Sequence, residues 1–176
     1  HGTAYTVITS EDKNIKTETT YYVPRNALYE VWASKITNND TKPRKLSVTG
    51  YCEFVNDNNY EQDQVNLQYT LFITRTYFKK NFILQKQNEI FKNPNNERFL
   101  GVAKAEVSAY CGDRDSFVGA YRGYANPKGI EEGLKGDLNY NTNSCGALQS
   151  DIVLQPGETK EIIYVLGQRP EAVAAE

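Results

Sequence analysis

An antiparallel, all-β sandwich is what this sequence predicts. Three observations carry it: runs of alternating character rich in β-branched and aromatic residues, their return at intervals of about 8–12 residues, and turn chemistry between them. In AYTVITS, Tyr5, Val7 and Thr9 alternate with Thr6, Ile8 and Ser10, and the polar EDKN separates this run from IKTETTYYV, which makes a hairpin. Pro24 stops it. LYEVWASKIT, with Trp32, follows, then the turn NNDTKP and the strand RKLSVTGYCEF. Along that strand Leu46, Val48, Cys52 and Phe54 fall on one face and Lys45, Ser47, Thr49 and Glu53 on the other, so one face is buried and one is wet. YTLFITRTYF, NFILQKQ, RFLGVAKAEVSAY, SDIVLQ and KEIIYVLG continue the pattern. The last two are joined by Pro156-Gly157-Glu158, where Gly supplies the positive φ of a type II turn.

Composition narrows the function classes. A chain of 176 residues is one domain's worth and buries roughly 70% of the surface its unfolded form exposes. Twenty basic against 22 acidic residues, with no basic stripe, speak against a nucleic acid or an anionic membrane as partner. No apolar run reaches the ~20 residues of a membrane span, and no signal-like segment opens the chain. Cys52, Cys111 and Cys145 match neither a CxxC pair nor a zinc ribbon and read as three reduced thiols, which fits a cytoplasmic setting. His1 is the only histidine, so neither a histidine-based nucleophilic triad nor a histidine metal site is predicted.

Two acidic segments offer chemistry on paper. NDNNYEQDQ sets side-chain oxygens at Asp57, Asn59, Glu61 and Asp63, but the sixth position is Gln62 instead of Gly and the twelfth is Gln68 instead of Glu. It therefore reads as a solvated loop before a calcium loop. CGDRDSF puts Asp113 and Asp115 around Arg114; two carboxylates can share acid and base work, yet an Asp-Arg-Asp turn is more often a capped, ion-paired corner. The residues thus predict no catalytic group, no metal site and no cofactor. At the C-terminal end GQRPEAVAAE has Pro170 at a first helical position and Glu171 in the first turn. We read residues 1–169 as the sandwich and 170–176 as the start of a linker helix, in a domain excised from a larger protein.

Several runs together, HGTAYTVITSEDKNIKTETTYYVP, VWASKITNND, KPRKLSVTGYCEF, NLQYT, CGDRDSFVGAYRGY and LQPGETKEIIYVLG, resemble in order the N-terminal β-sandwich of the inverting glycoside phosphorylases of the cellobiose and cellodextrin phosphorylase family. The resemblance covers nearly the whole chain. It implies a super-sandwich followed by a helical barrel that holds the catalytic acid, and a reaction in which inorganic phosphate, as co-substrate, displaces the acceptor sugar of a β-glucan oligosaccharide with inversion. It also implies a homodimer, in which a loop of the sandwich reaches the acceptor site of the partner subunit. The matching residues here are Asn66, Leu67, Gln68 and Tyr69, which makes Asn66, Gln68 and Tyr69 the expected substrate-binding residues. Tyr69 stands where cellobiose phosphorylases have Arg, which implies a different acceptor, such as a longer or differently linked glucan. The competing expectation is a free-standing carbohydrate-binding or structural sandwich, with an exposed aromatic platform.

Overall fold

The computed structural model describes residues 1–54, 74–87 and 97–169. Ten strands dominate it: β1 (Tyr5–Asp12), β2 (Ile15–Tyr22), β3 (Tyr29–Asn38), β4 (Arg44–Glu53), β5 (Thr74–Lys79), β6 (Phe82–Gln87), β7 (Glu97–Ala103), β8 (Ala109–Asp113), β9 (Ser144–Leu154) and β10 (Thr159–Arg169). Two one-turn helices, α1 (Arg114–Val118) and α2 (Lys128–Glu132), lie between β8 and β9. The strands form a seven-stranded sheet, β1-β2-β3-β10-β7-β6-β5, and a three-stranded sheet, β4-β9-β8. Every pairing within them is antiparallel. The sandwich read from the sequence is therefore the fold observed.

The first hairpin is tighter than the sequence suggests. β1 runs on through Glu11 and Asp12, and only Lys13 and Asn14 turn, at φ 47° and 63°. Two consecutive left-handed residues give the turn twist that matches a right-handed strand pair. At the other end of the chain Gly157 has φ 77°, as the Pro-Gly turn requires. β4 keeps the two faces read from its alternation: Cys52 and Phe54 are buried with Leu46 and Val48 packed beside the core, and Lys45 and Glu53 are exposed.

The core lies between the sheets, where Ile83, Leu100, Leu148, Leu154 and Ile162 are all 2% exposed or less. Fully buried Asn38 ties the sheets together at one end. Its Nδ2 donates to the carbonyls of Lys42 (2.8 Å) and Leu154 (3.1 Å), and its Oδ1 accepts from the Asp40 amide at 3.0 Å.

One expectation needs correcting. RFLGVAKAEVSAY is not one strand: β7 ends at Ala103, Lys104 turns at φ 62°, and the chain crosses to the other sheet before β8 starts at Ala109. A left-handed lysine breaks the run without the Gly or Pro that would have announced it. The linker helix expected from Pro170 lies outside the described residues.

All three cysteines are buried and free, one on each strand of the smaller sheet. Burial pushes the Cys52 thiol up to about 12, and Cys145, hydrogen-bonded toward Cys111 and buried, also holds its proton above the usual thiol range. Cys111, hydrogen-bonded with Cys145, is instead held below the ordinary thiol value. Unreduced protein should give three titratable thiols in denaturant, and burial of all three should slow their reaction when native. A count near one in denaturant would reveal a bridge.

Candidate functional site

Asn66, Gln68 and Tyr69 fall in residues 55–73, outside the described residues, as does the acidic run Asp57–Asp63. What the structure describes is how that segment is held at both ends. β4 delivers the chain into it at Glu53 and Phe54, and β5 receives it at Thr74. Both ends are anchored by the same stretch of chain, residues 110–143.

At the entrance the anchor is Glu53. Arg114 Nε donates to its Oε1 at 2.8 Å, Tyr51 OH donates at 2.9 Å, and Tyr124 OH donates to the same oxygen. Arg114 Nη2 also donates to Tyr124 OH at 2.9 Å, and its guanidinium lies 5.7 Å from the centre of the Tyr124 ring. Beneath them Tyr51 stacks on Phe117 of α1, with 4.3 Å between centroids. Partial burial pushes the Glu53 carboxyl up, but the hydrogen bonds from Tyr124, Arg114 and Tyr51, with the Arg114 charge, outweigh it and hold its pKa below the ordinary glutamate value. Such a carboxylate stays ionised near neutral pH and is a poor proton donor.

Asp113 and Asp115, which sequence reading brought forward as a possible acid and base, do different structural work. Asp113 caps α1: Oδ1 accepts from the Ser116 amide at 2.8 Å and Oδ2 from Thr142 Oγ1 at 2.7 Å. Asp115 lies exposed, 3.5 Å from Arg114. Asp-Arg-Asp is thus a capped, ion-paired corner. Its Arg114 reaches Glu53 across 61 residues of sequence.

At the exit, Thr76 Oγ1 accepts from the Asn139 amide at 2.7 Å and donates to the Gly112 carbonyl at 3.2 Å. The backbone amide of Thr76 donates to Asn139 O at 3.0 Å, and Asn141 N–H donates to Thr74 O at 2.8 Å. Among the described residues no cluster of three or more His, Cys, Asp or Glu side chains is placed to hold a metal.

Comparison with known families decides what this arrangement belongs to. Residues 1–176 match the family described as the supersandwich domain of glycosyl hydrolase 94. The chain belongs to that family. N,N'-diacetylchitobiose phosphorylase of Vibrio furnissii is 31% identical over 172 residues, covering 95% of this chain and 21% of the relative. The enzyme of the same name from Vibrio proteolyticus is 29% identical over 170 residues, with the same coverage of both chains. The chain therefore spans about a fifth of the length of these curated relatives. Among solved structures, a polysaccharide lyase superposes with a TM-score of 0.54 at 16% identity, over 92% of this chain and 21% of that one, and shares the fold. The Glu53 and Thr76 anchors flank in sequence the segment 55–73 that contains Asn66, Gln68 and Tyr69.

The Glu53 anchor has a testable pH signature. A glutamate whose folded pKa lies below its unfolded value of ~4.3 contributes stability above the unfolded value and loses it as pH falls through the folded pKa. Glu53→Gln removes that contribution. In urea titrations at neutral pH and near pH 3, the variant should lose less stability on acidification than the wild type. Equal losses in both would contradict an ionised, hydrogen-bonded Glu53.

Proposed function

We propose that this chain is the non-catalytic N-terminal domain of a cytoplasmic, homodimeric β-glycoside phosphorylase, and that it shapes the acceptor-sugar site through Asn66, Gln68 and Tyr69. The observation that carries this reading is the match of nearly the whole chain to phosphorylase relatives of which it forms about a fifth. The chemistry is displacement at the anomeric carbon by inorganic phosphate, an inverting scheme with phosphate in the place of water. The parent enzyme's remaining domains would supply the acid. The described residues agree with a supporting role: their best-organised carboxylates, Glu53 and Asp113, are spent on an ion pair and a helix cap.

For substrate, cellobiose and longer β-glucans are the first reading. The 31% and 29% identities to N,N'-diacetylchitobiose phosphorylases favour a second, an N-acetylated disaccharide. Full-length enzyme incubated with inorganic phosphate and each of these in turn should release a sugar 1-phosphate from at least one, and the 176-residue chain alone should release none. Release by the isolated chain would overturn the non-catalytic assignment.

The acceptor role is tested in the synthetic direction. Tyr69 offers a flat apolar face and one hydroxyl, and Gln68 a carboxamide. Losing one such polar contact typically costs ~1–3 kcal/mol, about tenfold to a hundredfold in kcat/KM for the acceptor. Gln68→Ala and Tyr69→Ala in the full-length enzyme should show that loss with little change in KM for the sugar 1-phosphate. Acceptor kinetics like wild type in both variants would refute it.

A further inference from the structure

The inner face of the seven-stranded sheet extends past β4, the edge strand of the three-stranded sheet, and under this overhang lies an open cleft of about 300 Å³. Four aromatic residues line it, Tyr21, Trp32, Tyr51 and the nearly buried Tyr164: Tyr21 and Trp32 sit 5.9 Å apart and Trp32 and Tyr164 6.4 Å apart between ring centroids, with the planes tilted at 56° and 49°. Beside them Thr19 Oγ1 and Ser34 Oγ form a hydroxyl pair at 2.9 Å. Val48 and Gly50 bring the backbone of β4 to the opposite side, where Val48 O accepts from Tyr164 OH at 3.1 Å. No charged side chain lines the cleft among the described residues. Trp32 Nε1 is buried and has no hydrogen-bond partner, which is costly for an indole N–H.

These features select a ligand. The rings of Tyr21 and Trp32 want an apolar face, the hydroxyl pair wants hydroxyl oxygens, and the neutral lining offers nothing to an anion. We propose that this cleft is a binding site for a neutral saccharide unit, one pyranose laid against the partly exposed rings of Tyr21 and Trp32 with its hydroxyls turned to Thr19 and Ser34. A compact cleft of this volume suits a small ring-shaped ligand. The site uses none of residues 55–73 and does not rest on the phosphorylase reading.

Trp32 is the sole tryptophan, so its emission reports on the cleft directly. Cellobiose and N,N'-diacetylchitobiose, each titrated into the 176-residue chain, serve as probes. At least one is expected to shift Trp32 emission saturably, with Kd on the order of 1 mM. Thr19→Val removes one hydroxyl and keeps the shape, and should weaken binding about threefold to tenfold. Tyr21→Leu removes a ring while leaving Trp32 to report, and should weaken it by a similar factor. Ser34→Ala provides a second hydroxyl deletion if circular dichroism shows Thr19→Val unfolded. Inorganic phosphate should leave the emission unchanged. Flat emission with both disaccharides up to about 20 mM, twentyfold above that Kd, would overturn the proposal. So would saturable binding that no variant weakens, or a response to phosphate as strong as that to sugar.

Discussion

Leu148→Ala is expected to destabilise the domain by about 3–5 kcal/mol, the upper part of the range for a buried leucine. Leu148 is fully buried in β9, the middle strand of the smaller sheet, and pairs with Gly50 on one side and Tyr110 on the other. Its side chain belongs to the inter-sheet cluster that includes Leu100 of β7 and Ile83 of β6. A cavity there has strand backbone around it in both sheets, so the walls cannot move in to fill it, and the cavity cost adds to the lost transfer energy. Against a typical total stability of about 5–15 kcal/mol, such a loss lowers the urea midpoint far enough to read directly, with the slope unchanged. Val153→Ala, on the outer side of the same strand and 42% exposed, should cost under about 1 kcal/mol. Similar losses at the two positions would mean that the sheets do not pack where Leu148 sits.

Local sequence carried the strands well wherever period-two alternation met clear punctuation. The hairpin of β1 and β2, the two faces of β4 and the Pro156-Gly157 turn were all readable because side-chain alternation and turn preference act over a few residues. The break between β7 and β8 was not readable, because Lys104 adopts a left-handed conformation without being Gly, Asn or Asp. One-turn helices such as α1 are too short for a helical period to register, although Asp113 at its start is an ordinary cap residue. The site shows the same division. Arg114 and Asp113 stood out as a motif, but Glu53 lies 61 residues from Arg114 and 71 from Tyr124, and no local pattern links positions so far apart. Asn66, Gln68 and Tyr69 came from family resemblance alone, since a polar run entering an apolar one fits a presenting loop and a strand entrance equally well.

Thr76→Val should show how firmly the exit of that segment is held. The substitution nearly keeps the side-chain shape and removes one hydroxyl that serves two partners, the Asn139 amide it accepts from and the Gly112 carbonyl it donates to. Thr76 is 5% exposed and Asn139 1% exposed, so water is poorly placed to replace the hydroxyl. A buried polar group left unpaired costs about 1–3 kcal/mol, and two are left here, so a loss of about 2–4 kcal/mol is expected. Thr76→Ser keeps the hydroxyl and gives up only a methyl group, and should cost about 1 kcal/mol. The comparison separates hydrogen bonding from packing: if valine costs no more than serine by urea denaturation, the hydroxyl is not what joins β5 to the 137–141 stretch. If the large valine penalty appears, the hydroxyl, with the backbone bonds beside it, is a joint through which residues 110–143 fix where β5 begins, immediately after the segment that contains Gln68 and Tyr69.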